Sequence, residues 1–122
     1  MYEHDKIRAR LFDKAGIVEN PIKDSLSDLK KTEWSFEFET LMRNRMLIGA
    51  FRYGRLSSDE KPSYDRVGGI ENHLSSYRID GNTEHLVDIA NLALCEFVEG
   101  NHPKCHFRSV DDGEHVKLKN GD

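Results

Sequence analysis

Apolar residues concentrate between Trp34 and Phe97, and within that span they recur at helical spacing. Phe38, Leu41, Met42, Ile48 and Phe51 give one apolar face. They predict a helix over residues 33–53, with Thr32 as its cap and Gly54 as its stop. A polar connector, 55–61, ends at Pro62. Ser63 can cap a second helix, in which Val67, Ile70, Leu74 and Tyr77 fall at i, i+3, i+7 and i+10. Gly68 and Gly69 weaken that helix by about 1 kcal/mol each relative to Ala, which points to a close approach of another backbone or to a kink. Asp80-Gly81-Asn82 makes a tight turn, and Asn82 or Thr83 caps a third helix ending at Gly100.

The flanks lack this pattern. Residues 1–31 are rich in charge, and residues 1–19 carry no predicted element. Asn20-Pro21 can open a short helix through Leu26 and Leu29, with Pro at its first position. Beyond Gly100, His102-Pro103 stops any helix, and Asp112-Gly113 between residues 106–110 and 114–118 is a hairpin signal. The expectation is an all-α helical bundle of three to four helices, with an irregular N-terminal segment and a C-terminal β-hairpin. It is one domain, 1–122, with its helical core at about 32–100.

The third helix is apolar around most of its circumference, which places it centrally in a bundle. Glu84, Asp88, Asn91 and Cys95 interrupt this at i, i+4, i+7 and i+11 as one narrow polar stripe. Carboxylates on a central helix need water, cations or donors. Two of them one turn apart can hold a hard divalent cation together with substrate phosphates. The plainer reading is the solvated edge of an amphipathic helix.

Composition narrows the classes. With 122 residues, 18 Lys+Arg, 22 Asp+Glu and a net charge of −4, the chain has room for one domain of ordinary size. It is too apolar and too mixed in sign to be disordered. It is too acidic to grip extended nucleic acid through its net field. No apolar run approaches the roughly 20 residues that span a bilayer, and no signal segment follows the first residues. Two cysteines make no disulfide framework. A cytoplasmic protein with no membrane partner is expected.

Candidate chemistry lies in the middle of the chain. Arg43, Arg45, Arg52 and Arg55 cluster on or after the first helix, beside Phe51 and Tyr53. They form an anion clamp or, more plainly, surface arginines paired with nearby acids. Cys95, His102, Cys105 and His106 are zinc-type residues in spacings that no usual zinc site uses. His73 lies beside the second helix's apolar face, where packing by a hydrogen-bonded histidine is the simpler role.

The order Ile48-Gly49-Ala50-Phe51-Arg52-Tyr53-Gly54, Tyr64-Asp65-Arg66, Asn72-His73-Leu74, Gly81-Asn82 and Glu84-His85-Leu86-Val87-Asp88-Ile89-Ala90-Asn91-Leu92 resembles a known family. These are small phage-type proteins of the all-α nucleoside triphosphate pyrophosphohydrolase (MazG-like) superfamily, nearest the dATP/dGTP diphosphohydrolase-like branch. The resemblance covers residues 37–98. It implies a bundle that assembles as a homo-oligomer and Mg2+ or Mn2+ held by inward carboxylates. It also implies water attack that turns a nucleoside triphosphate into monophosphate and pyrophosphate. Glu84 and Asp88 would then be catalytic and carry the metal with Glu37. Asn91, Arg66, His73, Tyr53, Lys61 and Arg52 would contact the nucleotide.

The chain also departs from that pattern. The superfamily pairs E-x-x-E on one helix with E-x-x-D on the next. Here residues 41–46 of the first helix carry no acid, and the third helix reads E-x-x-x-D. Glu33 and Glu37 lie a turn or more away and would serve only in a shifted register. The alternative is a non-enzymatic binder of a nucleotide signal or a host protein, such as a phage counter-defence protein, on the same bundle. Trp34, Phe36 and Phe38 would be buried between subunits.

Overall fold

The computed structural model describes residues 22–109 and residue 119. Helix is the regular structure among them: α1 (Leu26–Thr32), α2 (Phe36–Tyr53), α3 (Arg66–Asp80) and α4 (Glu84–Glu99). The chain divides into a unit of residues Ser35–Cys105, which holds α2, α3 and α4, and a second unit of the two flanks, which holds α1. No described helix is long and apolar enough to cross a membrane.

The caps correct the expected boundaries. Ser25 caps α1, its hydroxyl accepting from the Asp28 N–H at 3.2 Å. Thr32 therefore ends α1 and does not begin α2. Ser35 takes that part, accepting from the Phe38 N–H at 3.1 Å. Asn20 and Pro21, the expected start of the first short helix, lie outside the described residues. On α3 the cap is Asp65, which accepts from the Gly68 N–H at 3.0 Å. A carboxylate there also meets the positive end of the helix dipole. Ser63 is turned outward and accepts from Asn101 Nδ2 at 3.3 Å. At α4 the Thr83 side chain makes no capping bond, and Asn82 Oδ1 accepts from the Glu84 N–H at 3.0 Å. Most of the expected hairpin, 110–118, lies outside the described residues, and 106–109 form no strand.

Helix α4 packs against both α2 and α3, which makes it the central helix of its unit. Gly69 explains how closely α3 sits: a Cβ there would stand 3.1 Å from Leu92 Cδ1. The close neighbour of Gly69 is thus a side chain of α4 rather than a backbone. Burial is thin. Among the described residues Val87, at 5 % exposure, is the one buried apolar side chain, joined by the polar Arg66 and Asn91 at 8 % each. Phe36, Leu47 and Phe51 on α2 are exposed, Phe51 to 93 %.

Candidate functional site

The polar stripe of α4 is the seam along which α4 meets α2. Asn91 Nδ2 donates to the Met42 carbonyl at 3.0 Å, and the Cys95 thiol lies 4.0 Å from Met46 Sδ. Arg45 reaches Glu84 at 2.7 Å and Asp88 Oδ1 at 3.4 Å. The two carboxylates do converge on one cation, but that cation is a guanidinium from α2. A divalent ion held by this pair would have to take Arg45's place. Glu37 is exposed in the first turn of α2, so Arg45, not Glu37, is the α2 side chain that meets Glu84 and Asp88. The Asn91 Oδ1 is buried with no hydrogen-bond partner among the described residues, a desolvation cost of about 1–3 kcal/mol.

One turn toward the α3–α4 corner, His73 Nδ1 and His85 Nδ1 stand 3.0 Å apart. His85 Nε2 is 3.0 Å from Asp80 Oδ2, and His73 Nδ1 is 3.9 Å from Asp88 Oδ2. The Asp80 carboxyl is held below its ordinary value, first by the Asn82 backbone N–H and then by the bond to His85. His73 therefore belongs to a histidine pair with His85, a partner the sequence singled out only as part of a segment.

A second set of predicted residues gathers at the other end of α2. Tyr53, Lys61 and Arg66 line one cavity of about 370 Å³ whose floor is the small Gly49 and Ala50 with Leu92. That volume is at the low end of small-ligand sites, which run from roughly 300 to 1,000 Å³. Tyr53 and Tyr64 meet edge to face, with centroids 5.8 Å apart and planes at 73°. The Arg66 guanidinium lies 5.7 Å from the Tyr64 ring centre. Lys61, Tyr64 and Arg66 also wall a neighbouring polar cleft of about 300 Å³, which includes Ser57, Ser63 and Glu99. Arg52 is exposed on the last turn of α2 and lines neither space.

Glu99 organises this end. It accepts from Arg66 at 2.5 Å and from the Ser57 N–H at 2.6 Å, with Lys61 Nζ at 3.5 Å. Its carboxyl is held below the ordinary value by the Ser57 N–H first, then by the charges of Arg66 and Lys61, although burial pushes the other way. Ser57 makes its bond from a left-handed backbone, φ 61°. Sequence reasoning missed Glu99, although it stands four residues past Cys95 and continues the polar stripe. It also missed Tyr64 as a wall.

Among the described residues no group of three or more His, Cys, Asp or Glu side chains is placed so that it could hold a metal ion. Cys95 points to Met46 and His102 accepts from the Lys104 N–H at 3.0 Å. No family model matches this chain, and no curated protein or solved structure matches it either.

Proposed function

We propose that this protein is a nucleotide-binding module, with the ring of the ligand in the cavity of Tyr53 and Tyr64 and its phosphates in the adjoining cleft. The observation that carries this reading is the shared wall: Lys61, Tyr64 and Arg66 border both an apolar hollow and a polar one. A ligand that is flat and apolar at one end and anionic at the other suits such a pair of spaces. Arginine and lysine are the groups that bind phosphate, and Tyr53 supplies an aromatic edge. The likeness of residues 37–98 to the pyrophosphohydrolase superfamily selects nucleotides among such ligands. Binding without turnover is favoured because Glu84 and Asp88 already share the Arg45 guanidinium.

A second reading, metal-dependent release of pyrophosphate from (d)NTPs, rests on the convergence of Glu84 and Asp88 on a single cation position. Mg2+ or Mn2+ would there neutralise phosphate charge and activate water. One experiment separates the two. The protein is incubated with each dNTP and Mg2+ or Mn2+, and melting temperature and nucleoside monophosphate are followed together. The binder predicts a rise in melting temperature that Arg66→Ala removes, with no monophosphate formed. Monophosphate release that Asp88→Asn abolishes would establish the hydrolase instead. No shift and no product with any nucleotide overturns both. Assembly into a homo-oligomer through the apolar side of α2 belongs to either reading.

A further inference from the structure

The α3–α4 corner carries a histidine pair that neither reading uses. His73 comes from α3 and His85 from α4, and their Nδ1 atoms face each other at 3.0 Å. Two neutral imidazoles can meet that way only if one donates and the other accepts. The acceptor is fixed by Asp80: its carboxylate takes the Nε2 proton of His85 at 3.0 Å, which leaves the His85 Nδ1 lone pair turned toward His73. Asp88 stands one helical turn beyond His85, at i+3 on the same helix, and presents Oδ2 3.9 Å from His73 Nδ1. Its other oxygen, Oδ1, is held by Arg45 at 3.4 Å.

We propose that His73 and His85 form a binding site for a borderline divalent metal of the zinc class, with Asp88 Oδ2 as the third protein donor. In a tetrahedral zinc site with Zn–N of about 2.0–2.1 Å, two ligand nitrogens lie roughly 3.3 Å apart. The histidine pair is already within a few tenths of an ångström of that separation. As they stand the three side chains are not placed to hold an ion together, and Asp88 Oδ2, 3.9 Å from His73 Nδ1, has to move in to complete the set. The supporting contacts are those that ligands of this kind use. A carboxylate on the remote nitrogen of a ligating histidine fixes its tautomer and raises its basicity, the place Asp80 takes for His85. Arg45 on the remote oxygen of Asp88 orients that carboxylate in the same way. Binding asks of His73 only that its proton move from Nδ1 to Nε2. Two imidazole nitrogens and one carboxylate oxygen select zinc, cobalt, nickel or copper over magnesium or calcium. All three donors are partly exposed, so an ion has access.

The test uses the full chain, stripped of metal with a chelator and titrated with Co2+ and then Zn2+. One ion per chain is expected, with visible Co2+ absorption that lacks a thiolate charge-transfer band. Removing a carboxylate partner of a ligating histidine weakens binding by about 10–100-fold, which is the expectation for Asp80→Asn. His73→Ala and His85→Ala should each weaken it at least as much, and a Cys95→Ser, Cys105→Ser double variant should bind as the parent does. A readout on the unaltered protein covers the case of a variant that does not fold. Imidazole resonances of His73 and His85 should shift on adding Zn2+, while those of the other four histidines should not. The proposal fails if the parent protein binds no ion, if the double cysteine variant loses it, or if the shifted resonances belong to other histidines.

Discussion

The Glu99 carboxylate faces Lys61 and Arg66 while accepting from the Ser57 N–H, and the cost of removing it depends on pH. Its pKa is lower folded than unfolded. The bound proton therefore favours the unfolded chain, and the stability that Glu99 contributes is fully present above the unfolded value, about 4.3. It drains away as pH falls through the depressed folded value. Glu99→Gln should accordingly be clearly less stable than the parent at pH 7, with the gap closing as pH drops below about 4. Urea melts of both proteins at stepped pH check this, and a gap that is constant with pH would refute it. At this scale the sequence exposed types better than partners. Glu84 and Asp88 were legible as a pair seeking a cation, yet the cation is Arg45, 39 and 43 residues away on another helix. Nothing in local spacing encodes that pairing.

Helix α2 and helix α3 each carry glycine inside, and their surroundings give the two opposite outcomes. A Cβ at Gly49 meets nothing within 4 Å, whereas one at Gly69 presses on Leu92 Cδ1 at 3.1 Å. Replacing an interior helical glycine by alanine gains about 0.5–1 kcal/mol when the site is free. Gly49→Ala should therefore stabilise by about that amount, while Gly69→Ala should gain nothing or lose. Thermal melts rank the two. Because Gly49 lines the cavity, the added methyl should also weaken the proposed binding of a nucleotide there. Helix identity was legible because apolar spacing and terminal glycines are local signals. The starts were less so: Thr32, Ser35, Ser63 and Asp65 are all competent caps, and which one serves depends on where the preceding segment ends.

For the molecule as a whole, the described core has only one buried apolar side chain, while Phe36, Leu47 and Phe51 stand exposed on α2. Surface substitutions away from special features usually stay within about 0.5 kcal/mol. Phe51→Asp should thus leave the melting temperature of the monomer nearly unchanged while shifting sedimentation toward a single chain. A parent that already sediments as a single chain would rule out the assembly. The central place of α4 was legible from its nearly uniform apolar surface. The cavity was not, because its walls come from the end of α2, the connector, the start of α3 and the middle of α4, four stretches that share no periodicity. Of its residues, Tyr53, Lys61 and Arg66 were expected to contact a ligand, while Cys95 was legible only as part of the polar stripe.

The clasp at Glu99 also shapes how any anionic ligand must enter. A phosphate approaching Lys61 and Arg66 does not meet two free positive charges; it meets a cluster whose sum is one, since a carboxylate is already seated there. Entry is therefore an exchange of one anion for another, and its free energy is the difference between two similar attractions. Two results follow. The salt sensitivity of binding would resemble that of a single cation, and ligands would be ranked by how well their ring fills the aromatic hollow more than by how many phosphates they carry. The displaced Glu99 would also release the Ser57 N–H, so a filled cleft and a loosened connector would arrive together.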